Sequence, residues 1–77
     1  VNKIRREALQ KVMTALEDAK SDLETLRDEE QEYLDNMPES LQSSEKATNA
    51  ENAVSNLDDA INGLEEAASS IDESTQL

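Results

Sequence analysis

From Leu9 onward an apolar position recurs every seven residues. One row reads Leu9, Leu16, Leu23, Glu30, and a second row, three residues on, reads Val12, Ala19, Leu26, Tyr33. Such rows are the a and d positions of a helix that pairs with another helix along a narrow seam. Asp, Glu, Lys and Gln fill most of the outer face, and neither Gly nor Pro interrupts before Pro38. A second run repeats the device: Ala47, Ala50, Val54, Leu57, Ile61, Leu64, Ala68 and Ile71 are spaced 3, 4, 3, 4, 3, 4, 3. Gly63 falls at an outward c position of that run. Between the runs, Pro38 disfavours helix at Met37 and ends the first helix near Asn36. Ser43 or Ser44 is a candidate N-cap for the second helix, and Thr48-Asn-Ala-Glu51 also fits a capping box, so its start falls at 44–48. The pattern predicts one domain over 1–77, with helix 1 at about 3–36, a connector at about 37–44 and helix 2 at about 45–73. The ends before Lys3 and past Asp72 are expected to fray.

Three signals predict that the chain folds back on itself. An antiparallel hairpin turning near residues 41–42 pairs core positions whose numbers add to 83–84. Tyr33 then meets Ala50, Glu30 meets Val54, Leu26 meets Leu57, Leu23 meets Ile61, Ala19 meets Leu64, Leu16 meets Ala68 and Val12 meets Ile71. Small residues tend to face large ones, as interdigitating layers require. The flanking e rows hold Met13, Lys20, Arg27 and Leu34 on helix 1 and Glu51, Asp58, Glu65 and Asp72 on helix 2. Antiparallel packing sets e against e, so Lys20 faces Glu65 and Arg27 faces Asp58. The ends supply the third signal. Residues 1–16 carry four bases and one acid, +3, whereas residues 17–77 carry three bases and 18 acids, −15. A basic helix start and an acidic helix end both oppose the helix dipole. Folding back sets the basic start beside Glu65, Glu66, Asp72 and Glu73 and relieves both. The expected fold is all-α: an antiparallel, coiled-coil-like two-helix hairpin.

Composition alone points elsewhere. Val, Ile and Leu supply 15 of 77 residues, and the net charge is −12, a combination that marks disordered chains. The unbroken heptads overrule that mark. With 18 large apolar residues and nine alanines, the core is thin for a lone chain, so association is the expected way to bury more. The chain has no Cys, His, Trp or Phe. That excludes disulfides, thiol nucleophiles, Ser-His pairs and His-based metal sites. No catalytic residue, cofactor or metal site is expected. Acidic neighbours such as Glu17-Asp18, Asp58-Asp59 and Glu65-Glu66 point about 100° apart on a helix and form solvated faces rather than paired-carboxylate sites. Glu30, in a core row near the connector, reads as a register or water-bridging position. Uncharged runs are too short to span a membrane, and a cytoplasmic location is expected.

The stretch Arg27-Asp-Glu-Glu-Gln-Glu-Tyr-Leu-Asp-Asn-Met-Pro-Glu-Ser-Leu-Gln-Ser-Ser-Glu-Lys46 resembles a group of short acidic hypothetical proteins from bacteria and their phages. These share a Tyr-x-Asp-Asn-Met-Pro-Glu-x-x-Gln connector, here Tyr33 to Gln42, between two acidic heptad helices. The resemblance implies a helical hairpin and a bacterial or phage-related source, and it implies no activity. Secreted helical hairpins with a Trp-x-Gly turn are a poor match, since Trp is absent.

Two surfaces are candidates for interaction. Ala53, Ala60 and Ala67, with Ser74, occupy the g row of helix 2, and Ala8 and Ala15 line the corresponding edge of helix 1. The hairpin's own seam does not need this edge. It suits a homodimer forming a four-helix bundle, with a heterologous protein as the alternative partner. In the connector, Met37 and Leu41 are expected to plug the open end, Ser40 and Ser43 to cap helix starts, and Tyr33 to close the loop end of the core. Tyr33, Met37, Pro38 and Leu41 form the alternative epitope. The expected function is that of a small acidic, non-enzymatic interaction protein acting through helix–helix contacts. The alternative is an acidic nucleic-acid mimic, a decoy for a basic host nucleic-acid-binding protein. Like charge argues against direct nucleic-acid binding.

Overall fold

In the computed structural model, which describes all 77 residues, two long helices lie antiparallel. Helix α1 spans Lys3–Asp35, helix α2 spans Glu45–Thr75, and a single 3₁₀ turn, Glu39–Leu41, sits between them. The Asn2 side chain caps α1 by accepting from the Arg5 amide at 2.8 Å. At the far end the Asn36 amide donates to Glu32 O and the Met37 amide to Leu34 O, and the extended Pro38 stops the helix. The connector then turns on its own backbone bonds, Leu41 N–H to Pro38 O and Ser44 N–H to Leu41 O. Ser44, extended at φ −79° and ψ 166°, caps α2 by accepting from the Ala47 amide at 3.3 Å. Ser40 and Ser43, the other connector serines, cap neither long helix.

The hairpin is a rod of 59 × 14 × 12 Å with a radius of gyration of 17.4 Å. A compact domain of this length averages about 11.5 Å. Both predicted cross-helix ion pairs form: Lys20 Nζ lies 2.8 Å from Glu65 Oε1, and Arg27 Nη1 lies 3.0 Å from Asp58 Oδ1. Both are the pairs that the expected register set face to face.

Helix α2 presents the stripe that its spacing predicts. Ala47, Ala50 and Ile61 are buried, and Val54, Leu57, Leu64, Ala68 and Ile71 are half-buried. Helix α1 is rotated relative to expectation. Leu9, Leu16, Leu23 and Glu30 enter the seam, but their companions are Met13, Lys20, Arg27 and Leu34 rather than Val12, Ala19, Leu26 and Tyr33. Val12 is 47% exposed, Leu26 52% and Tyr33 50%, and Ala19 is exposed as well. The physical reason is that α1 carries apolar residues in three adjacent rows, whereas one partner helix covers about two. The row that wins holds Met13 and Leu34 together with the two cations that meet Glu65 and Asp58. The aliphatic stems of Lys20 and Arg27 cover the seam while their heads stay in water.

The basic start does meet the end of α2, through a different group than expected. Arg6 donates from Nε to Thr75 O at 3.1 Å and from Nη2 to Val1 O at 3.0 Å. A guanidinium on the last carbonyls complements the negative end of the helix dipole. The carboxylates of Glu66, Asp72 and Glu73 make no ion pair; the one pair at the start is Lys3–Glu7 within α1, at 4.0 Å. Anchored by Arg6, α2 runs to Thr75, three residues past the point where fraying was expected.

Candidate functional site

The rotation of α1 settles which side chains reach the surface. Residues seven apart share a face of a supercoiled helix, so Val12, Ala19, Leu26 and Tyr33 form one exposed row along most of α1. The ion pairs occupy one side of the seam. On the opposite side, Tyr33 of α1 and Ala53 of α2 line a common cleft of about 480 Å³ with Glu30, Lys46, Asn49 and Ala50. That cleft fixes the Tyr33 row and the Ala53, Ala60, Ala67 row on one face of the hairpin. Ala60 and Ala67 are exposed and Ala53 is half-buried; Ala8 and Ala15 are exposed on the α1 margin. Towards the amino-terminal end, Val1, Arg5, Ala8, Leu9 and Val12 line an apolar hollow of about 280 Å³. The open face thus combines large apolar residues on α1 with small ones on α2.

The connector residues divide. Met37 is 8% exposed and seals the end of the seam as expected. Leu41 is 45% exposed and does not plug it, because the 3₁₀ turn carries it outward. Tyr33 stands outside the core rather than closing it. With Pro38, Leu41 and Met37 it lines a cleft of about 490 Å³ whose rim holds Glu29, Glu32, Asn36 and Lys46. Tyr33 therefore belongs both to this cleft and to the open face.

Electrostatics concentrate on the other side of the seam. The hydrogen bond to Glu65 raises the Lys20 pKa above its ordinary value, supported by the charges of Glu65, Glu24 and Glu17. Arg27 is raised likewise by its hydrogen bonds to Asp58 and Asp28. Both side chains are about a third exposed, so the pairs orient the helices more than they stabilise them. No three carboxylates converge as a metal-ligand set, and no helix is long and apolar enough to cross a membrane.

The alanine edge is legible in the sequence, but the larger apolar row beside it is not, because heptad spacing alone places Val12, Leu26 and Tyr33 in the core. The apolar Met13 and Leu34 in the adjoining row were the signal that α1 has three apolar rows to place. Compared with protein-family models, curated proteins and solved structures, the chain matches none.

Proposed function

We propose that this is a small acidic, non-enzymatic interaction protein that works through helix–helix contacts, and that its working form is a homodimer in which two hairpins make a four-helix bundle. The observation that carries this reading is the open face. Three large side chains stand about half exposed in one row, while only Met37, Ala47, Ala50 and Ile61 are buried. The surface area agrees. A folded monomer of 8.5 kDa averages about 4,650 Å² of accessible surface, and this chain exposes 5630 Å². The excess of about 1,000 Å² is close to the ~800 Å² that each partner contributes to a standard interface.

A double variant tests the reading. Ala60→Glu with Ala67→Glu places two carboxylates in the open face and leaves the intramolecular seam intact. Sedimentation equilibrium is expected to give a dimer for the unmodified protein and a monomer for the variant, with unchanged helicity at low temperature. A variant that sediments like the unmodified protein would remove the open face from the account.

A further inference from the structure

We infer that the two hairpins are related by a two-fold axis running along the rod, so that α1 of each copy lies over α2 of the other and both connectors sit at the same end. This inference rests on the dimer proposed above and specifies its geometry. A rotation about the long axis leaves every level of the rod at its own height. The register between chains is then the register within a chain, which the ion pairs fix: a residue of α1 is level with the α2 residue that brings the sum to 85. Tyr33 falls level with Ala53 and Leu26 with Ala60, each within one residue, and between the large residues Ala19 falls level with Ala67. The exposed large residues of one copy therefore meet the alanines of the other, with no register left to choose.

The competing arrangement has its axis across the rod, which lays α1 on α1 and α2 on α2 with connectors at opposite ends. It stacks the alanine row on itself and the Val12–Leu26 row on itself. Small rows draw helices to about 8 Å and large rows hold them near 10 Å, so the two contacts demand different separations between the same rigid hairpins. Large on small gives both helix pairs one spacing.

Charge and area support the same choice. With the axis along the rod, residues 8–16 of one copy, which carry Lys11 and no acid, run level with residues 69–77 of the other, which carry Asp72 and Glu73 and no base. Within one chain Lys11 has no ion-pair partner, nor have Asp72 and Glu73, so this complementary charge is free to act between copies. Overlap is complete, and a footprint of 59 by 14 Å is about 800 Å² per chain, the size of a standard interface.

The chain lacks cysteine, so one introduced thiol gives a unique labelling site. Gln42 is exposed, in the connector. A nitroxide spin label on Gln42→Cys, read by pulsed dipolar spectroscopy, is expected to report an interchain distance under about 30 Å, a few helix spacings of 8–10 Å. A label on Ser43→Cys should give the same result and guards against a local effect at Gln42. A distance near the 59 Å rod length would overturn the axis while leaving the dimer standing. Absence of any interchain distance in fully labelled protein would overturn both.

Discussion

Leu26→Ala separates the open face from the seam. In a single chain Leu26 is 52% exposed, so its removal costs the hairpin about 1 kcal/mol for the half already covered, offset in part by the higher helix propensity of Ala. In the dimer its exposed half is covered. Full burial of a Leu contributes about 1.5–3 kcal/mol, so the covered half contributes about 1 kcal/mol per copy. A dimer loses two copies, about 2 kcal/mol, which is roughly 30-fold in the dissociation constant. The assay is thermal unfolding followed by circular dichroism over a hundredfold range of protein concentration. The unmodified protein is expected to melt higher as concentration rises, because dimerisation stabilises the folded chain by mass action. Leu26→Ala should shift that dependence to higher concentration by the same roughly 30-fold factor. Superimposable melts at every concentration, for both proteins, would refute the reasoning. The seam substitution Leu23→Ala is the control and should lower the melting temperature even at the lowest concentration.

Gly63 is helical and exposed, and a methyl group built there meets nothing within 4 Å. Gly63→Ala should stabilise the fold by about 1 kcal/mol in urea titrations. Lys20 holds its proton more tightly when folded, through Glu65. Its contribution is therefore full below the ordinary lysine value of 10.5 and is lost as pH rises through the higher folded value. Alkaline melts above that point should fall more steeply for the unmodified protein than for Lys20→Met. Folding confines a net charge of −12 to a thin rod, so lowering pH from neutral toward about 5, or adding salt, should raise the melting temperature. A falling trend in either series would show that attraction outweighs repulsion.

How far the fold was legible depended on how many rows each helix had to bury. In α2 the large apolar residues fill two rows, the alternation 3, 4 is unambiguous, and the observed stripe is the expected one. The break after α1 was equally plain because Pro38 bars continuation, whereas the Asn2 cap and the extension of α2 to Thr75 depend on contacts that the heptads do not show. In α1 the apolar residues fill three rows, and heptad spacing alone does not say which two face the partner. That choice was made by Lys20 and Arg27, whose partners on α2 were visible in the sequence. Their rotational consequence, that Val12, Leu26 and Tyr33 turn outward, follows only once the geometry is fixed. The candidate site is thus legible in its alanines and in Tyr33, whereas heptad spacing places Val12 and Leu26 in the core.

Light scattering of the unmodified protein at physiological salt, taken over increasing concentration, addresses the central claim that the open face is covered by a second copy. The account predicts a molar mass that climbs to twice the 8.5 kDa of one chain and stays there. A mass of one chain at every concentration would contradict it.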